Sequence, residues 1–78
     1  AFYSGLRVSE SAVRFDSEQQ KGVYVNDRGS LIFKRVDVIY EGPGYKICRW
    51  ERGVTTSIQL FDEVVIGGSD LYVGKVID

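Results

Sequence analysis

The chain carries eleven carboxylates, one cysteine and no histidine, so the commonest general base is missing from its chemistry. Cys48 is the one candidate nucleophile, and Lys46 and Arg49 are the neighbouring cations that could lower its pKa. The alternating stretch around it, Tyr45-Lys46-Ile47-Cys48-Arg49-Trp50, reads it instead as a small apolar packing residue. Asp62 and Glu63 form a carboxylate pair by sequence, but neighbours on a strand point to opposite faces and share a substrate poorly. They read as a solvated loop ahead of a buried strand. Asp16, Glu18, Asp27 and Asp70 lack the spacings of calcium or zinc sites. Gly42-Pro43-Gly44 and Gly67-Gly68 precede no helix whose N-terminus could hold a phosphate, and turn chemistry accounts for them. The expectation is a protein without catalytic, cofactor-binding or metal-binding residues, and not an enzyme.

A binding surface is the remaining chemistry. Tyr40, Tyr45 and Trp50 interleave with Lys46, Arg49 and Arg52, and Tyr45, Arg49 and Trp50 are the candidate contact residues for a protein partner. The alternative is a small β-barrel that binds single-stranded nucleic acid by stacking bases on such aromatics, at about 1–3 kcal/mol per base. A net charge of −1 argues against nucleic acid, which calls for a basic field. The charge is unevenly spread: Leu31 to Val54 sums to +2 and the remainder to −3.

At 78 residues the chain is one β-domain, residues 1–78, with an apolar share of 44% that supplies one compact core but no deep cavity. A single cysteine permits no internal disulfide, and no apolar run approaches the ~20 residues that cross a bilayer. The opening at Ala1 reads as the start of a piece of a longer protein.

The elements that must position these residues are short strands. Leu6 to Phe15 begins extended, with Ser9 placed to cap one helical turn over Ser11-Ala12-Val13, and Asp16 to Lys21 is a loop. Gly22-Val23-Tyr24-Val25 is a strand ended by Asn26-Asp27-Arg28-Gly29, residues that tolerate the positive φ of a tight hairpin. Ser30 to Tyr40 is the longest strand candidate. Its apolar set changes parity near Lys34-Arg35, the signature of a bulge or a switch between sheets. Strands are also expected at Tyr45–Trp50, Thr55–Leu60, Glu63–Ile66 and Lys75–Ile77. Together they predict an all-β, small barrel-like domain of about six or seven short, mostly antiparallel strands. The expected core is Val23, Val25, Phe33, Val36, Val38, Ile47, Leu60, Val64, Ile66, Leu71 and Val76.

Four of these segments, in order, resemble one family. Leu6-Arg7-Val8-Ser9-Glu10-Ser11-Ala12-Val13 is similar to the "P-x-S-A-[IV]" entry of the C-terminal, membrane-proximal β-domain of HlyD-like periplasmic adaptor (membrane fusion) proteins. Gly22-Val23-Tyr24-Val25 resembles its "G-V-Y-V" strand, and Phe33-Lys34-Arg35-Val36-Asp37-Val38 its "x-x-R-x-V-x-V" strand. Asp62 to Gly67 followed by Leu71 to Ile77 resembles the closing "G-D-x-V-V-x-x-G-x-x-L-x-D-G-x-x-V". Ser9, Phe61 and Val73 stand where the family often has proline, glycine and aspartate, departures that suit the divergent HlyD-like proteins of Gram-positive bacteria. The resemblance implies a non-catalytic interaction domain of a bacterial export, efflux or secretion system. Its implied place is the outer side of the cytoplasmic membrane (periplasmic or extracellular), and its implied partners are an inner-membrane transporter and other adaptor copies. The lipoyl-like domain, helical hairpin and anchor would precede Ala1, and the excised domain would be monomeric.

Overall fold

The computed structural model describes residues 5–50, 58–59, 62–67 and 71–76. Strand β1 (Gly5–Ser9) runs into a single 3-10 turn (Glu10–Ala12), followed by β2 (Arg14–Phe15), β3 (Lys21–Asp27) and β4 (Ser30–Arg35). Then come β5 (Val38–Gly42), β6 (Tyr45–Arg49) and β7 (Glu63–Val64). All pairings between these strands are antiparallel, and they form two sheets. The first has the order β1-β6-β5; the second has the order β2-β3-β4. Strand β4 covers β3 from Gly22 to Asp27, so β2 and β7 share the other edge, at Lys21–Gly22 and at Val25–Asn26. The all-β expectation holds. The barrel does not close: among the described strands no ladder joins the two sheets.

The parity change in Ser30–Tyr40 is a switch between sheets, placed at Val36–Asp37. The Val36 N–H still donates to the Lys21 carbonyl of the second sheet (3.0 Å), whereas the Arg49 N–H of the first sheet donates to the Asp37 carbonyl (2.8 Å). One continuous run thereby supplies both sheets. A register shift between Val38 and Tyr40 adds a bulge just beyond the corner.

Two turns are set by local chemistry. Asp27 pairs with Ser30, leaving Arg28 and Gly29 as a two-residue loop at φ 55° and 92°, the backbone of a type I′ hairpin. The Asn26 Oδ1 accepts the Gly29 N–H at 2.9 Å. In the connection from β2 to β3, the Asp16 Oδ1 accepts the N–H groups of Glu18 (2.8 Å) and Gln20 (2.9 Å). Arg35 bridges from β4 to Asp16 (3.2 Å) and Glu18 (2.6 Å), pinning this loop to the sheet.

The core lies between the inner faces of the sheets. Val8, Ala12, Val23, Val25, Cys48 and Ile58 form one buried cluster, against which Val36, Val38, Val64 and Trp50 pack. Each fully buried Val- or Ile-sized side chain contributes about 1.5–3 kcal/mol. Expected core residues Val23, Val25, Val36, Val38 and Val64 therefore face inward. Phe33 does not: one register step from Lys34, it takes the other face of β4, where it meets the Tyr24 ring edge-on at 5.1 Å. Ile47 is likewise one step from buried Cys48 and lies on the outer face of its sheet. Ile66 and Val76 are corrected to exposed positions, at 66% and 75%. Ile66 follows the last bond to β3, from the Val65 N–H to the Tyr24 carbonyl, and Val76 is held by one isolated bridge to Ser30. Leu71 is half-buried, and its carbonyl accepts the Tyr24 hydroxyl at 3.2 Å. The strand expected over Thr55–Leu60 falls largely outside the described residues, Leu60 included. Its described members, Ile58 and Gln59, lie in no ladder.

A charged residue also enters the interior. Lys34 is 8% exposed, and its ammonium meets the Asp62 carboxylate at 2.7 Å. The same Asp62 oxygen accepts the Gln59 N–H at 2.8 Å. Asp62 is thus not the solvated residue expected: it closes the approach to β7 by neutralising a cation that β4 carries inward. Glu63 remains exposed and accepts a hydrogen bond from the Asn26 amide at 2.9 Å.

Removing the acid leaves a buried cation with its main counter-charge gone, whereas removing the cation leaves a carboxylate that water can still reach. Asp62→Asn is expected to lower stability by about 2–3 kcal/mol, and Lys34→Met by about 1 kcal/mol or less, in urea unfolding. Arg28→Asn, which places a side chain that tolerates the left-handed backbone of the hairpin, is expected to raise stability by about 0.5–1 kcal/mol in urea unfolding.

Candidate functional site

On β6 the side chains alternate, and buried Cys48 fixes the direction of its neighbours. Because Cys48 points inward between Leu6 and Val38, Tyr45, Ile47 and Arg49 point outward. The same register sets Arg7 of β1 and Tyr40 of β5 on that outer face, opposite Ile47. The Arg7 guanidinium lies 4.0 Å from the centre of the Tyr45 ring, a stacked cation–π contact. Tyr40 and Tyr45 rings stand 6.3 Å apart and tilted by 38°, with Tyr40 58% exposed.

Glycine makes this arrangement possible. Gly42 pairs with Tyr45 across the ladder, and a Cβ on Gly42 would collide with the tyrosine ring. The ring can lie down over the strand only because no side chain stands there, and in doing so it is presented to Arg7. Gly5 serves Ile47 in the same way.

Of the three candidate contact residues, the structure brings Tyr45 and Arg49 to one face. Trp50 is separated from them: it packs against the buried cluster, on the inward side of the next register step. Arg7 joins the site without any local signal, since it lies 38 positions before Tyr45 and meets it only through the β1–β6 register. Lys46, adjacent to Tyr45 in sequence, also parts from the face. It pairs with Glu41 at 2.5 Å, and Glu41 is approached by Lys21 at 3.8 Å. Arg52 lies outside the described residues.

The groups that could react are held elsewhere. Cys48 is fully buried, and burial pushes its thiol up, away from the thiolate that nucleophilic chemistry needs. Among the described residues no group of three or more His, Cys, Asp or Glu converges for a metal ion. A cleft of about 230 Å³ opens beside β1 and β7, lined by Leu6, Val8, Ile58, Val64 and Ile66 among others. The one carboxylate among its described lining residues, Asp62, is engaged by Lys34 and the Gln59 N–H. Among the described residues no helix is long and apolar enough to cross a membrane.

Compared with known protein families, with curated proteins and with solved structures, the chain matches none of them.

The surface pairs carry a definite pH signature. The Lys46 hydrogen bond holds the Glu41 carboxyl below its ordinary 4.5, and the Gln20 N–H, with help from Glu18 and Arg35, holds Asp16 below 3.8. Depressed values mean stability that is complete above the ordinary pKa and lost as pH falls through the folded one. Lys46, raised above 10.5 chiefly by Glu41, gives the opposite limb: its contribution is complete below that value and is lost at higher pH. The urea midpoint is therefore expected to fall below pH 4.5. Glu41→Gln should flatten the upper part of that fall and Asp16→Asn the lower part. Gly42→Ala, which forces the Tyr45 ring off its seat, is expected to cost about 1–3 kcal/mol in urea unfolding.

Proposed function

We propose that this chain is a non-catalytic docking domain of a HlyD-like membrane fusion (adaptor) protein of a bacterial export or efflux system. It contacts a transporter and neighbouring adaptor copies on the outer side of the cytoplasmic membrane. The observation that carries the docking reading is the outer face of the β1-β6-β5 sheet. There Arg7, Tyr40, Tyr45, Ile47 and Arg49 gather, while Cys48 and Asp62 are taken up by packing and pairing. Aromatic and arginine side chains on one face are the composition of protein-contact hot spots.

The family half of the reading rests on the four ordered segments, and the elements they form support it. The entry segment makes β1 and its 3-10 turn, Gly22–Val25 lies within β3, and Phe33–Val38 spans the corner between sheets. Asp62–Gly67 contains β7, and Leu71–Val76 runs beside β4, with Leu31 bonded to Gly74 and Lys75 through backbone groups at 2.7 and 2.9 Å.

A photo-crosslinking amino acid at Tyr40, in the intact protein in its native membrane, tests this proposal. The expected products are adducts with an integral-membrane transporter or a second adaptor copy, identified by mass spectrometry. Adducts with soluble proteins alone, or an encoded upstream sequence lacking both a membrane anchor and paired lipoyl-like halves, would contradict it.

A further inference from the structure

Several of the described cations are held in ion pairs. Lys21 and Lys46 meet Glu41, Lys34 meets Asp62, and Arg35 meets Asp16 and Glu18. Arg7 and Arg49 form no ion pair among the described residues; Arg7 rests on the Tyr45 ring, and Arg49 is exposed. Both stand on the outer face of the β1-β6-β5 sheet. Asp37 lies opposite Arg49 at the corner, bonded to it through backbone atoms but forming no ion pair with it. Glu41 is drawn off by Lys46, so the middle of the face holds arginine, tyrosine and isoleucine without a carboxylate. This happens in a chain whose net charge is −1.

A face with uncompensated arginines beside half-exposed rings is complementary to carboxylates spaced by apolar side chains. It is not complementary to itself, because an isologous pairing would bring the unpaired arginines of two copies into one interface whose middle holds no carboxylate from either copy. Resting on the docking reading above, we infer that this face receives an acidic, apolar-interleaved segment of the partner protein, its carboxylates on Arg7 and Arg49 and its apolar side chains over Tyr40, Tyr45 and Ile47. Arginine suits this role through its bidentate geometry, and the Tyr45 stack holds Arg7 ready for it.

The test is a titration of the isotope-labelled 78-residue chain, followed by backbone amide shifts, with three probes. They are a peptide alternating glutamate with leucine and tyrosine, its lysine-for-glutamate counterpart, and oligothymidylate. The expected result is shifts confined to β1, β5 and β6 with the acidic peptide, weakening as salt is raised. Arg49→Ala and Arg7→Ala should each reduce affinity by about two- to fivefold, and Arg7→Lys with Arg49→Lys should keep the salt dependence while losing part of the affinity. Equal binding of the lysine peptide, tighter binding of oligothymidylate at the same amides, or concentration-dependent dimerisation through this face would each overturn the inference. Failure here is separable from failure of the docking reading. If Tyr40 adducts with the transporter persist in an Arg7→Glu/Arg49→Glu variant of the intact protein, docking stands and the acidic partner falls.

Discussion

Two backbone hydrogen bonds at Val36 and Asp37 hold the corner on which the rest of the molecule depends. The N–H of Val36 ends the pairing of β4 with β3, and the carbonyl of Asp37 begins the pairing of β5 with β6. A run of thirteen residues, Ser30 to Gly42, that would make one long exposed strand is thereby divided between two sheets that share an interior. Without the division, the apolar residues of both parities could not all be covered, since a strand buries one parity against one partner. With it, Val23 and Val25 of one sheet and Val8 and Cys48 of the other fill the same space.

The outer face follows from this interior. Once Cys48 is committed to the core, register leaves no freedom in where Tyr45, Ile47 and Arg49 point, or in the placing of Arg7 opposite Ile47. Glycines at Gly5 and Gly42 let the large side chains lie along the sheet rather than stand off it. The molecule thus keeps its one thiol and its Lys34–Asp62 pair inside, and offers arginine and tyrosine outside. The two outcomes are one event, because each strand that turns one face to the single core turns the other to solvent.

Much of this was legible in the chain. Asn26-Asp27-Arg28-Gly29 announced its hairpin through residues that accept positive φ, and the parity change after Phe33 announced the corner. The alternation around Cys48 announced a packing thiol. What escaped the sequence came from long-range partners. Lys34 is buried because Asp62, 28 residues later, neutralises it, and nothing near either residue signals the other. Arg7 is a site residue because β1 pairs with β6, a pairing that local pattern does not encode. Leu31 is fully buried, and its backbone is bonded to Gly74 and Lys75, partners far along the chain. Trp50 stands near Tyr45 and Arg49 in sequence, and one step of strand parity sends it to the other side.

Native-state amide hydrogen exchange at Val36 and Arg49 tests the corner most directly. If these two bonds hold the sheets in register, both amides exchange only through global unfolding, with the same opening free energy as the core amides of Val23 and Cys48. Exchange of Val36 or Arg49 through a much cheaper local opening, while Val23 and Cys48 stay protected, would show that the sheets are held together elsewhere and would contradict this account.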